Sequence, residues 1–119
     1  MNMNRNMKLN LDGKIFKSIS NTSNGEVDSD TIFYYHQKDD QVWAEYSGGS
    51  VSKGQLIAIM KEHGVLDMKY HHINTSNQLM IGECISTPVI NNDGKVVYRE
   101  KWQWLNGDRT SGYSEIVEQ

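Results

Sequence analysis

Apolar and polar residues alternate along most of this chain, and turn-forming residues break the alternation at near-regular intervals. The breaks fall at Ser23-Asn24-Gly25, Lys38-Asp39-Asp40, Gly48-Gly49, His63-Gly64, Thr75-Ser76-Asn77, a stretch from Pro88 to Gly94, and Asn106-Gly107-Asp108. A period of two is the signature of a strand with one buried face. Thr, Ile, Val, Tyr and Trp are frequent between the breaks, as pleated surfaces favour. The pattern predicts eight strands, at 14–20, 27–37, 41–47, 51–60, 65–74, 78–87, 95–105 and 109–117. Eight such segments joined by turns predict an all-β, antiparallel up-and-down barrel. The rival for a helix is Leu56-Ile57-Ala58-Ile59-Met60, a contiguous apolar run; it is short, and His63-Gly64 stops it. Pro88 is expected to end the sixth strand, because it has no N–H to give to a ladder.

Alternation offers two faces per strand, and hairpin pairing links the choices, since residues opposite each other share a face. In the fifth strand Leu66, Met68, Tyr70 and His72 face one way and Asp67, Lys69 and His71 the other, so the first set points inward. Folding at His63-Gly64 sets Met60 opposite Leu66, Ala58 opposite Met68 and Gly54 opposite His72. Folding at Ser76 sets Met80 opposite His72, Gly82 opposite Tyr70 and Cys84 opposite Met68. In the seventh strand the inward set is Tyr98, Glu100, Trp102 and Trp104, with Glu100 opposite Ser114 and Tyr98 opposite Ile116. Phe33 and Tyr35 should meet Tyr46 and Ala44. The resulting interior is aromatic and polar together, with Gly54 and Gly82 expected to leave space between the rings. Burying Glu100 and His72 without partners costs several kcal/mol, on the order of that for any unpaired charge. The inference is a cavity with aromatic walls and polar anchors.

Composition narrows the classes. A length of 119 residues suits one domain. Residues 1–12, rich in Met and Asn at their start, read as a flexible extension, and 13–119 as the barrel. The net charge is -3 and the basic residues are scattered, which argues against nucleic acid or an anionic membrane as partner. No apolar run reaches the length of a membrane-spanning helix, and the N-terminal residues lack a secretory apolar core. One cysteine, Cys84, allows no intrachain disulfide. A cytoplasmic location is the expectation.

The candidate ligand-binding residues are Tyr35, Tyr46, Tyr70, His72, Tyr98, Glu100, Trp102, Trp104 and Ser114. Glu100 leads: a carboxylate among rings is desolvated and can serve as an acid, a base or an anchor for a cation. The plainer alternative is a structural hydrogen bond to a Tyr or to Ser114. His72 and Cys84 suggest a nucleophile and base, but the register displaces them, and buried Cys commonly acts as a small hydrophobe. His71 and His72 point to opposite faces and cannot share an ion; no His-x-His or Cys-x-x-Cys spacing exists, so neither a metal nor a cofactor is expected. Ser47-Gly48-Gly49-Ser50 is followed by a strand, so it reads as a hairpin turn and not a phosphate cradle. Ile57, Ile59 and Ile73 should face outward, as a patch for a homodimer or under the N-terminal segment.

The stretch 16–116 resembles a family of short bacterial proteins commonly labelled "N-acetylglutamate synthase". The resemblance is carried by Ser20-Asn21-Thr22, Asn24-Gly25-Glu26, Tyr46-Ser47-Gly48-Gly49-Ser50, Lys53-Gly54, Leu66-Asp67-Met68, Ser86-Thr87-Pro88 and, most specifically, Glu100-Lys101-Trp102-Gln103-Trp104. It implies a calycin- or lipocalin-like barrel. The labelled activity belongs to an acetyltransferase fold whose helix N-terminus holds a coenzyme pyrophosphate; this chain has no such loop, so the resemblance transfers no catalytic residue. Three functional readings follow. The first is a binder of a small organic ligand near Glu100, Tyr70 and the tryptophans. The second is an enzyme using Glu100 or His72 for proton transfer. The third is an assembly module acting through its outer isoleucines.

Overall fold

The computed structural model describes residues 9–119. Eight strands follow one another, β1 (Ile15–Asn21), β2 (Ile32–Lys38), β3 (Gln41–Gly48), β4 (Val51–Met60), β5 (Leu66–Asn74), β6 (Leu79–Ile90), β7 (Val96–Trp104) and β8 (Ser111–Glu118). Each pairs antiparallel with its sequence neighbour, and β8 pairs with β1 to close an up-and-down barrel. Closure gives every strand a partner on both sides. A single 3₁₀ turn, Glu62–Gly64, joins β4 to β5. Among the described residues no helix is long and apolar enough to cross a membrane.

The register is the one the turns imply. Met60 faces Leu66, Ala58 faces Met68 and Gly54 faces His72. Met80 lies opposite His72, Gly82 opposite Tyr70 and Cys84 opposite Met68. Glu100 lies opposite Ser114, Tyr98 opposite Ile116, Phe33 opposite Tyr46 and Tyr35 opposite Ala44. Short turns hold the parity of each hairpin, and parity decides which face is buried. The strands therefore alternate cleanly, as in β3 and β4, whose even-numbered residues from Val42 to Tyr46 and from Gly54 to Met60 are buried.

Four expectations need correction. The second strand starts at Ile32 and not at 27. Asp28, Ser29, Asp30 and Thr31 form a turn: the Asp28 carboxylate accepts the Asp30 N–H at 2.8 Å, and the Thr31 N–H donates to the Asp28 carbonyl at 2.9 Å. Such side-chain capture of the backbone competes with a strand ladder. Residues 22–31 are consequently a long loop between β1 and β2. Pro88 does not end β6, which continues to Ile90 paired with β7. Pairing with β5 stops at Leu66 and Ser86, so beyond Ser86 that side of β6 is an edge, where proline is tolerated.

The third correction concerns the N-terminal segment. Residues 1–8 of the expected extension lie outside the described residues. Leu11, however, is fully buried, and its N–H donates to the Gln37 side chain at 2.9 Å. Gly13, at a φ of 78°, turns the chain into β1 and donates its N–H to the Tyr35 carbonyl. Leu11 joins Phe16, Met60, Leu66, Val96 and Tyr98 in the core. The packed unit thus takes in residue 11 and closes one end of the barrel. Tyr98 completes that closure by donating its hydroxyl to the Gly64 carbonyl at 2.9 Å.

The fourth concerns the outer face. Ile57, Ile59 and Ile73 do point outward, at 67%, 45% and 39% exposed. They do not form one patch. Ile57 lies beside Trp43 in the pairing of β3 and β4. Ile73 pairs with Lys53 and Leu79, and the row formed by Gln55, His71 and Ile81 separates it from Ile57.

Candidate functional site

The opposite end of the barrel holds the polar interior. Alternation on β5 brings Tyr70, His72 and Asn74 inward, and alternation on β7 brings Glu100, Trp102 and Trp104 to meet them. Tyr46 arrives from β3, Cys84 and Ser86 from β6, and Ser114 from β8. A cavity of about 50 Å³ remains between Tyr46, Tyr70, His72, Glu100, Trp102 and Trp104, under Glu26 and Val27 of the β1–β2 loop. That volume holds one or two waters, since a water occupies about 30 Å³ of the liquid. It is well below the roughly 300 Å³ at which small-molecule pockets begin.

The glycines explain part of the difference from expectation. Gly54 and Gly82 do not leave open space. The Tyr46 ring lies over Gly54 and the Tyr70 ring over Gly82, each so close that a Cβ at the glycine would overlap it. Gly112 receives Trp102 in the same way. Each missing side chain is filled by an aromatic ring from a neighbouring strand.

Of the nine residues expected to bind a ligand, Tyr46, Tyr70, His72, Glu100, Trp102, Trp104 and Ser114 line this cavity. Tyr35 and Tyr98 do not. Tyr35 packs against Phe16 at 5.0 Å between ring centroids, and Tyr98 against Phe16 at 5.9 Å. Both belong to the apolar core towards the closed end, and among the described residues the buried Tyr35 hydroxyl has no hydrogen-bond partner.

Glu100 is held by its flanking serines. Ser86 donates its hydroxyl to Oε2 at 2.8 Å, and Ser114 donates to Oε1 at 3.1 Å. Burial drives the Glu100 carboxyl above the usual carboxylate range, and the two hydroxyls pull it part of the way back. A group whose pKa is raised in the folded state favours folding below its unfolded pKa and loses that contribution as pH rises through its folded pKa. Glu100→Gln keeps the shape and can still bond both hydroxyls. It should be as stable as the parent in acid and more stable at neutral pH, by on the order of 1 kcal/mol. Urea unfolding at several pH values tests this; a difference independent of pH would contradict it.

His72 and Cys84 are not a catalytic pair. Cys84 Sγ lies 3.3 Å from Ser86 Oγ, and burial pushes its thiol well above the ordinary range, with Glu100 adding to the effect. Such burial favours the protonated thiol, and the thiolate is the nucleophilic form. His72 instead sits between two other groups. Its Nδ1 is 2.8 Å from the Tyr46 hydroxyl and its Nε2 is 2.7 Å from Glu26 Oε1. Burial holds its pKa below the ordinary histidine value, against the opposing pull of Glu26. A neutral ring satisfies both contacts: Tyr46 donates to Nδ1, and Nε2–H donates to Glu26.

Glu26 was hidden in the sequence because residues 27–37 read as one strand and 23–25 as a plain turn. The loop it sits on is a strap across the barrel mouth. The Trp102 indole N–H donates to Asn21 Oδ1 at 3.0 Å, and the Trp104 indole N–H donates to the Asn24 carbonyl at 3.1 Å. Asn24 Nδ2 donates to Thr110 Oγ1 at 3.1 Å and to the Ser111 carbonyl at 2.8 Å. Glu26 Oε2 accepts from Asn74 Nδ2 at 2.9 Å. At the far end the Thr31 hydroxyl donates to the Gly48 carbonyl at 3.0 Å. The cluster of turn formers from Asp28 to Thr31, together with an Asn on each side of Thr22-Ser23, was the signal for such a loop.

Residues 9–119 match the profile of a family described as "Avidin-like protein". No curated protein matches the chain, and no solved structure matches it.

Proposed function

Because the chain belongs to the avidin-like protein family, we propose that it binds a small organic molecule at the strapped end of the barrel. The observation that carries this reading is the company around Glu100. A carboxyl held by two serines shares one chamber with two tryptophan indoles, two tyrosines and a histidine. A purely structural core of this size would be filled with aliphatic side chains and would carry fewer polar groups. Here the indoles and Tyr70 supply flat apolar walls, and Glu100 supplies an anchor for a hydrogen-bond donor or a cation. The remaining 50 Å³ is too small for such a guest. Binding therefore requires the strap to lift and the ring of Tyr70 to swing from its seat on Gly82.

The family association brings small ligands such as biotin into the first set of probes. The test is native mass spectrometry of protein isolated from its own cells, followed by release and identification of any adduct, with titration calorimetry against biotin alongside. A stoichiometric adduct that weakens tenfold or more in Glu100→Gln, equivalent to about 1.4 kcal/mol, is the expected result. A bare mass from every preparation, with no heat from any probe, would overturn the proposal.

The enzymatic label that the sequence resemblance carries does not enter it. Among the described residues the single helical element is the three-residue turn Glu62–Gly64, which offers no helix N-terminus for a coenzyme pyrophosphate. A second reading has its own observation. Trp43 and Ile57 pair on the outer surface next to Ile59, and His36 stacks on Trp43 at 5.6 Å. We read this as the surface through which two copies would associate. Ile57→Lys should then convert a dimer to a monomer in sedimentation without changing the far-ultraviolet spectrum, whereas Ile73→Lys should leave association intact. A wild-type chain that stays monomeric at high concentration would dispose of this second reading.

A further inference from the structure

We propose that Glu26 is a built-in stand-in for the carboxylate of the ligand: it occupies a carboxylate subsite formed by His72 and Asn74, and the ligand takes its place as the strap lifts. This rests on the small-ligand reading above and specifies the chemistry of one end of the guest. The geometry is that of a recognition site. Glu26 presents both carboxylate oxygens to two separate donors, Oε1 to His72 Nε2 at 2.7 Å and Oε2 to Asn74 Nδ2 at 2.9 Å. Those donors are fixed by the barrel and do not depend on the strap. Tyr46 holds the other ring nitrogen of His72, and the imidazole stands edge-on to Tyr46 and Trp104 at 5.6 and 5.7 Å. Asn74 is locked by Oδ1, which accepts the N–H groups of Ser76 and Gln78 at 3.0 and 2.9 Å. A pair of preset donors beside an indole face is suited to a carboxylate attached to a flat or apolar body.

The occupant, by contrast, is reached by water. Glu26 sits on a loop, and its side chain is 23% exposed while that of His72 is 1% exposed. A contact that water already reaches contributes modestly. The strap has other anchors on both sides of Glu26: Asn24 on Thr110 and Ser111, and Thr31 on Gly48. Its centre can therefore move outward without releasing its ends. Displacement exchanges one carboxylate for another, so the two donors are never left unpaired in the low-polarity interior, which would be costly. The subsite and Glu100 are also separately satisfied, since each carboxyl has its own donors and shares none. The guest this predicts bears a carboxylate that His72 and Asn74 receive in place of Glu26.

The probes are phenylacetate, phenylacetamide and phenethylamine, which share one ring and differ in the polar end. Binding is followed by the indole N–H signals of Trp102 and Trp104 in nuclear magnetic resonance. Glu26→Ala, which empties the subsite, should bind phenylacetate about tenfold or more tighter than the wild type, the ratio expected for about 1.4 kcal/mol of freed hydrogen bonding. Phenylacetamide and phenethylamine should gain little. Adding His72→Phe or Asn74→Leu to Glu26→Ala should cancel the phenylacetate gain. Glu26→Gln, which keeps an acceptor, should fall between the two. An equal gain for all three probes would mean that Glu26 merely ties the strap down; the subsite would be overturned while ligand binding stood. No binding of any probe to Glu26→Ala would overturn the subsite as well, and an adduct recovered from cells would then still uphold the broader reading.

Discussion

Trp104→Ala is expected to cost the barrel about 3–5 kcal/mol, the usual range for removing a buried aromatic side chain. Trp104 is nearly fully buried and forms the junction of the site: its ring lies 5.4 Å from Trp102, 5.9 Å from Tyr70 and 5.7 Å from His72. Its indole N–H is also one of the ties that hold the strap. Urea unfolding followed by circular dichroism reads the loss directly. Trp104→Phe separates the two roles. It keeps most of the packing but removes the donor to Asn24, so it should cost only about 1 kcal/mol. The same variant should speed hydrogen exchange of the Gly25 amide, which bonds to the Thr22 carbonyl within the strap. If Trp104→Phe were as damaging as the alanine, or if exchange in the strap were unchanged, the indole would not be its tie.

Leu11→Ala is expected to be nearly as disruptive, about 2–5 kcal/mol, although Leu11 precedes every strand. The side chain is fully buried and belongs to the same core cluster as Phe16, Met60, Leu66 and Tyr98. For a domain of this size a loss in that range lowers the melting temperature by roughly 10 °C or more. Asp12→Ala, next to it and exposed, gives up the bond that the Gln37 N–H donates to its carboxylate and should cost about 1 kcal/mol. Calorimetry on the two variants decides the matter. A Leu11→Ala change below about 1 kcal/mol would mean that the closed end is held by Tyr98 and Gly64 without the N-terminal segment.

The sequence was informative where structure is local. Alternation in residues 51–60 and 66–74 placed the strands, and the short turns between them carried parity across each hairpin, so Gly54 met His72 and Cys84 met Met68 as expected. Charge patterning chose the buried face: Asp67, Lys69 and His71 cannot share the interior with Leu66 and Met68. From that choice followed the gathering of Tyr46, Tyr70, His72, Glu100, Trp102, Trp104 and Ser114 at one end.

What escaped was set by distance along the axis and by volume. Alternation says that Tyr35 and Tyr98 point inward but not at which height they sit, and both lie at the level of Phe16. Glycine signals a missing side chain, but which neighbouring ring fills the gap depends on how the strands coil past one another; Tyr46 and Tyr70 fill Gly54 and Gly82. Glu26 carried no periodic signal, because a loop has no period.

The sequence by itself determined an eight-stranded barrel, its register and seven of the residues that line its polar interior, because side-chain alternation and turn parity are properties of neighbouring residues. The tertiary structure alone decided that the interior is nearly full and that residues 22–31 cross its mouth with Glu26 on His72 and Asn74. Those are contacts between segments 46 and 48 residues apart, and no local pattern records them.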